Sequence, residues 1–344
     1  MPVITRLLRT AVVLSLLLLA ACGGSASTSS PTTGAAGSGA AASAGAITPT
    51  ASQKTAAPSP SESAPAFPVS VEAANGEVTL DTRPQRIVSL APTATEMLFA
   101  IDAGEQVIAV DDQSDYPPSA PVTDLSGLEP NIEAIAGYEP DLVVISYDPG
   151  ELASGLEALE IPVALLPAAT AITDTYAQLE QLGVLTGHVA DAAAVVTRMQ
   201  TEMEELARNA PTEGEPLSYY HELDDTYYTV TSETFIGDVY DRLGLVNIAD
   251  AADKQGTGYP QLSAEYIIEA DPDLIFLGDT ECCGVTAQTV ASRPGWQNIT
   301  AVRRGAIVEL DDDVTSRWGP RIVEFLRAAN TAVEAAKTGA DVGS

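Results

Sequence analysis

The sequence predicts an α/β protein of two lobes joined by one long helix, and three observations carry that prediction. The first is an echo. Residues 139–145 read EPDLVVI and residues 271–277 read DPDLIFL, with Glu133 and Glu265 each seven positions ahead of the proline, Pro140 or Pro272. Proline cannot continue a helix and disfavours helix in the residue before it. A run of apolar residues suits a parallel strand covered on both faces. Each echo therefore reads as helix, stop, buried strand. The second observation is GHVADAAAVVTRMQTEMEELARNA at 187–210, rich in strong helix formers and lying between the two echoes. The third is an alternation of short apolar runs and helical segments on both sides of it.

The chain opens with Arg6 and Arg9 ahead of AVVLSLLLLAA. That run has the charged start and apolar middle of a secretory signal, and is too short to span a bilayer comfortably. It ends in Leu19-Ala20-Ala21-Cys22, which resembles a bacterial lipoprotein signal. Residues 1–22 are thus expected to be a signal peptide whose removal leaves Cys22 as the lipidated first residue. The expected location is extracytoplasmic, with the protein held at the cell membrane by its lipid anchor only. Residues 23–66 are nearly all Ser, Thr, Ala, Gly and Pro, a composition that cannot bury enough apolar surface to order itself. They are read as a disordered tether.

The first lobe is assigned to 67–186. Arg86–Leu90 is a short β-rich run, and Thr93-Ala94-Thr95-Glu96 ahead of Met97-Leu98-Phe99 has the pattern of a capping box. A strand at 107–110, a helix at 131–138, a strand at 141–145, a helix near 151–159 and a strand at 163–166 follow. Residues 187–210 are predicted to form the linking helix, in which Val195, Met199, Met203 and Leu206 recur at helical spacing. About 22 helical residues make a rod of ~33 Å. The second lobe, 211–338, restarts with SYYHELDDTYYTVT, read as two aromatic-rich strands about a turn at Asp224-Asp225. Helices at 234–243 and 262–270, strands at 273–277 and 306–310, and a last helix from Pro320-Arg321 to about Lys337 complete it. Residues 339–344 form a tail.

The balance is strongly acidic, with 48 Asp and Glu against 16 Lys and Arg. Loss of Arg6 and Arg9 with the signal would leave 14 basic residues and a net charge of −34. Such a surface repels phosphate backbones and argues against nucleic acid. With Cys22 lipidated, the remaining cysteines are the adjacent pair Cys282-Cys283. A vicinal disulfide, two thiols or a soft-metal site are all open to them, and the oxidising side of a membrane favours the disulfide.

Several ordered motifs carry a resemblance: RIVSLAPTATEMLFAI, SDYPP, PNIEAIAGYEPDLVV, PQLSAEYIIEADPDLIF and RPGWQNITAVRRGAIVEL. Across about residues 84–337 the chain resembles the helical-backbone substrate-binding proteins of ABC importers, which carry ferric siderophores, haem or vitamin B12. The resemblance implies a ligand cleft between the lobes, a monomer, and delivery to an ABC permease dimer driven by a cytoplasmic ATPase. By motif position, Glu133 and Glu265 are the carboxylates expected to dock on permease arginines.

Loops after the strand ends should line the cleft. The candidates are Pro92, Thr93, Tyr116 and Tyr147 in the first lobe, and Tyr220, His221, Tyr227, Tyr228, Arg317 and Trp318 in the second. Aromatic faces would pack on a bulky metal chelate while arginine neutralises carboxylate or catecholate oxygens. With only His188 and His221 in the chain, a histidine-rich site for a bare metal is excluded. No cofactor and no direct metal site is expected. In cobalamin binders of the family, the tryptophans flanking the ligand fall here at about Gly127, Ser146 and Val314. Tyr147 and Trp318 are the nearest substitutes. A ferric siderophore is therefore the expected cargo, with cobalamin or haem as the alternative. A surface sensor or adhesin could keep the same lobes and tether. A hydrolytic metalloenzyme would need a nucleophile elbow, HExxH or phosphate loop, and none occurs in an apt context.

Overall fold

The computed structural model describes residues 66–211 and 213–339. Cys22, residues 23–65 of the tether and the end of the tail lie outside the described residues. A hairpin, β1 (Val69–Ala73) and β2 (Gly76–Leu80), opens the described chain. It turns at Ala74-Asn75, with Gly76 at φ +115. Then come β3 (Ile87–Leu90), α1 (Pro92–Ala100), β4 (Val107–Val110), α2 (Ile132–Ala136), β5 (Leu142–Ile145), α3 (Leu152–Glu157), β6 (Val163–Leu165) and α4 (Ile172–Thr186). After α5 (Val189–Asn209) the order is β7 (Ser218–Glu222), α6 (Phe235–Asp241), β8 (Val246–Asn247), α7 (Ala264–Ala270) and β9 (Leu274–Leu277). The chain ends through α8 (Thr280–Cys283), α9 (Ala287–Ala291), α10 (Thr300–Arg304), β10 (Ile307–Glu309), α11 (Asp312–Ser316) and α12 (Ile322–Thr338).

Two separate four-stranded parallel sheets result, ordered β4-β3-β5-β6 and β10-β9-β7-β8. Counted within each lobe, both have the order second, first, third, fourth. The echoed motif supplies the third strand each time. Glu139 and Asp271, the acids before the two prolines, both adopt left-handed backbone (φ 49 and 48); Asp271 is the C-cap of α7, while α2 ends earlier, at Gly137. The aspartate after each proline then fixes the register. Asp141 accepts from the backbone N–H of Arg86 at 2.9 Å, and Asp273 from that of Ser218 at 3.1 Å. Each carboxylate thus holds the residue that leads into, or starts, the lobe's first strand.

α5 buries Val195, Met199 and Met203, as their spacing predicts. α4 was not foreseen, and it packs along α5. A Cβ on Gly183 would lie 2.5 Å from that of Ala192, so the helices meet at a contact that only glycine permits. One apolar core runs from β1 and β2 through Met97, Met199 and Met203 to Tyr219, Tyr240, Phe276, Trp296 and Phe325. A second, including Val88, Leu90, Ile135, Val143 and Leu156, packs on the first sheet.

Two expectations are corrected. The hairpin about Asp224-Asp225 does not form, because both edges of β7 are taken, by β8 and β9. Instead Asp224 accepts from the N–H of Thr226 at 2.8 Å, Tyr227 takes φ 69, and Tyr228 makes one bridge to Gln261. Thr93 and Glu96 do not form a capping box. The helix begins two residues earlier, with Ala91 as N-cap and Pro92 at its start. Glu96 is used elsewhere.

Candidate functional site

The carboxyl ends of β3, β4 and β5 and those of β7, β9 and β10 carry the loops that such folds use for ligands. A buried ionic cluster ties the two sets together. Glu96 on α1 accepts from Arg317 Nη1 at 3.0 Å, and from Arg321 Nε at 2.9 Å and Nη2 at 2.6 Å. Arg317, after α11, also reaches Asp115 at 3.0 Å, Asp313 at 2.7 Å and the Gln113 carbonyl at 3.1 Å. The Arg321 guanidinium stands 4.2 Å from the ring centroid of Tyr116. Its hydrogen bonds to Glu96 raise its pKa further above the ordinary arginine value. Arg317 is therefore fully engaged with carboxylates, which corrects the expectation that it would neutralise ligand oxygens.

The aromatic candidates divide. Tyr147 follows β5 and is 61% exposed, and Tyr228 and Tyr116 also face solvent. Tyr227 is half-buried and stacks on Trp296 at 5.9 Å. Trp318 is half-buried: Nε1 donates to Gln178 Oε1 at 2.9 Å, its carbonyl accepts from Thr175 Oγ1 at 2.8 Å, and its ring meets Phe235 edge-on at 6.1 Å. Pro92 is half-buried and Thr93 is buried in the α1 turn. Tyr220 and His221 are 0% and 1% exposed, so neither can touch a ligand at the surface. The reason is the sheet itself: a central parallel strand has both faces covered, so alternate side chains on β7 all turn inward.

Burial leaves a chemical mark on this lobe. His221 is held neutral, its pKa pushed down to about 3, and its Nδ1 is hydrogen-bonded to Tyr240 at 2.8 Å. Glu222 is fully buried and accepts from the two terminal nitrogens of Arg293, Nη1 at 2.5 Å and Nη2 at 2.6 Å. Arg293 in turn lies 4.7 Å from the Trp296 ring and 5.5 Å from that of Tyr227. Asp279, at the end of β9, is pushed up to about 7, first by burial and then by the Glu222 charge. Among the described residues its carboxyl oxygens have no hydrogen-bond partner.

At Gly127, one of the three positions that the resemblance aligns with tryptophan, the geometry leaves no room for a side chain. A Cβ at Gly127 would lie 2.6 Å from Asp111 Oδ2 and 2.8 Å from the Leu90 carbonyl, so no side chain fits. Val314 is buried. Among the described residues no cluster of His, Cys, Asp and Glu is arranged to hold a metal ion. His188, at the foot of α5, bonds Gln106 at 3.0 Å and Asp191 at 3.1 Å, away from the strand ends. Behind the ionic cluster, α1, α5 and α12 enclose a groove of about 380 Å³. Tyr116 and Pro117, from the loop after β4, also line it, and two of its cations, Arg321 and Arg327, are paired with Glu96 and Glu202.

Glu133 and Glu265 occupy matching places. Each is the second residue of its helix, after an N-cap (Asn131 or Ser263) whose side chain accepts from the third helical N–H. Both are exposed, and neither enters an ion pair among the described residues. Cys282 and Cys283 are disulfide-bonded to each other on α8.

The periplasmic binding protein family model matches residues 87–314. A cobalamin-binding protein of Halobacterium salinarum is 34% identical over 303 residues, covering 83% of this chain and 81% of that protein. An uncharacterized ABC transporter substrate-binding lipoprotein of Bacillus subtilis is 30% identical over 269 residues, covering 75% and 83%. A crystal structure of a possible iron-binding, periplasmic solute-binding protein from Staphylococcus epidermidis superposes with a TM-score of 0.64 at 25% identity, covering 73% of this chain and 99% of that one.

Proposed function

Because the chain belongs to the periplasmic binding protein family, we propose that it is the extracytoplasmic solute-binding protein of an ABC importer and captures a corrinoid, cobalamin foremost. Its role is capture and delivery of an unaltered ligand; its relatives are solute-binding proteins. The carrying observation is the state of the cleft arginine. Arg317 already meets Glu96, Asp115 and Asp313, so a polyanionic ferric catecholate gains no free guanidinium from it. A corrinoid brings its metal fully ligated, needs no counter-cation, and offers broad apolar faces to Tyr147 and Tyr228. The identity to a cobalamin-binding protein across most of both chains points the same way.

A ferric hydroxamate siderophore is the second reading, favoured by the same observation, since a chelate without negative charge also needs no arginine. Haem fits less well. Its propionates are anionic while Arg317 is already paired, and with His221 buried and His188 elsewhere its iron would have to take an exposed tyrosine such as Tyr147 as axial ligand.

Delivery would run through a permease dimer coupled to a cytoplasmic ATPase, with Glu133 and Glu265 as the docking carboxylates and Cys22 as the lipid anchor. The proposed organisation is a lobe over 67–186, a linking helix over 187–210 and a lobe over 211–338. The deciding experiment is titration of the purified chain with cyanocobalamin, a ferric hydroxamate, a ferric catecholate and haem by calorimetry. Saturable binding of cyanocobalamin and none of the catecholate is expected. Tighter binding of the catecholate overturns the corrinoid assignment.

A further inference from the structure

The vicinal disulfide lies on the loop that follows β9, at the carboxyl end of a parallel strand, the side on which open α/β sheets hold ligands. β9 ends at Leu277, and after two intervening residues α8 starts at Thr280, at that strand's carboxyl end. The Asp312 carboxylate grips this turn. Oδ1 accepts from the Thr280 N–H at 2.8 Å and Oγ1 at 3.1 Å, while Oδ2 accepts from the N–H groups of Glu281 at 3.1 Å and Cys282 at 2.8 Å. Thr280 Oγ1 donates onward to the Leu310 carbonyl at 2.7 Å, and Gly284, at φ 67, closes the turn. Both cysteines are exposed.

The same turn is tied to the other lobe through Asp312. Asp312 opens α11, the helix that leads to Arg317 and so to Asp115 of the first lobe. The pKa of the Glu281 carboxyl is raised, first by Asp311, with Asp115 among the further causes. Around it stand Asp311, Asp312 and Asp313, all acidic. The sulfur pair is the uncharged, polarisable surface in an acidic mouth.

We propose that the Cys282–Cys283 disulfide is a ligand contact of the interlobe cleft, a rigid sulfur plate against which a conjugated, apolar face of the bound chelate rests. This rests on the corrinoid reading above. Two linked sulfurs carry no hydrogen to donate and no charge to desolvate, and sulfur packs favourably on π-systems. Asp312 holds the plate in place, so little ordering cost falls on binding.

Two measurements test this. In the first, dithiothreitol reduces the disulfide: its two thiols pass two electrons and two protons to Cys282 and Cys283 and close into a cyclic disulfide. Iodoacetamide then traps the freed thiols for mass analysis. Saturating cyanocobalamin is expected to slow their appearance at least ~10-fold, as a covered sulfur is closed to in-line attack by thiolate. In the second, Cys282→Ala/Cys283→Ala is expected to weaken cyanocobalamin binding ~2- to 10-fold. A chain that does not bind cyanocobalamin refutes the corrinoid reading and this contact together. A chain that binds, but whose disulfide is reduced at the same rate with and without ligand, overturns the contact alone.

Discussion

Glu96 and Arg321 hold each other through two hydrogen bonds, at 2.6 and 2.9 Å, while lying 225 residues apart in the chain. One comes from the first helix of the first lobe and the other from the entry to the last helix of the second. With Arg317 they make the junction of the lobes ionic as well as apolar. Glu96→Ala would leave two guanidinium groups short of a partner, at a cost of about 3 kcal/mol. Urea denaturation should show this loss. A stability equal to that of the parent would mean the cluster is ornamental.

The Arg293–Glu222 pair predicts a larger asymmetry. Arg293→Met strands a fully buried carboxylate beside Asp279 and should cost about 3–5 kcal/mol. Arg293→Lys should recover only part, because an ammonium cannot form the two-pronged contact. Adding Glu222→Gln to Arg293→Met should restore stability relative to the single change. A double variant less stable than Arg293→Met alone would contradict this.

Acid response should depend on two opposed groups. The folded pKa of His221, about 3, lies below the ordinary 6.5. Its contribution is therefore complete above 6.5 and is lost as pH falls towards 3, because the unfolded chain takes up the proton first. The folded pKa of Asp279, about 7, lies above the ordinary 3.8. Its contribution is complete below 3.8 and is lost as pH rises through 7. Between about pH 4 and 6.5 the slopes oppose each other, so stability there should be nearly flat. Asp279→Asn should expose a clear loss as pH falls across that window, measured as the urea midpoint against pH. No change in slope would refute the assignment.

The α4–α5 contact tests packing against propensity. Gly183→Ala gains up to about 1 kcal/mol of helix propensity. It also forces a methyl to 2.5 Å from Ala192, and overpacking of this kind costs about 1–3 kcal/mol. Net destabilisation is expected, relieved by Ala192→Gly in the same chain. Thermal melting of the single and double variants decides it.

Docking separates from capture. Reversing both Glu133 and Glu265 to Lys should abolish uptake by cells while leaving calorimetric affinity for the ligand intact. Undiminished uptake would remove the docking role.

Much of the fold was legible because it rests on local rules. Proline stops, apolar runs and the spacing of Val195, Met199 and Met203 mark elements without knowledge of their neighbours. The hairpin of β1 and β2 was legible in principle, since Val69, Val71, Val78 and Leu80 alternate around Asn75-Gly76. α4 carries no proline or cap of the usual kind, its N-cap being Ala171. The site was less legible. Tyr220 and His221 look like half-exposed hairpin aromatics until β7 is seen, paired by β8 and β9, as an inner strand of a sheet covered on both faces. Glu96 looks like a helix cap until Arg317 and Arg321, more than 200 residues away, claim it. Nothing local in the sequence encodes that pairing.

The shared strand order of the two sheets has a consequence for encounter with a partner. Glu133 and Glu265 sit at the same position of equivalent helices, so each lobe presents the same local motif, an exposed carboxylate one residue inside a capped helix. A receptor built of two like halves would need only one kind of site to read both.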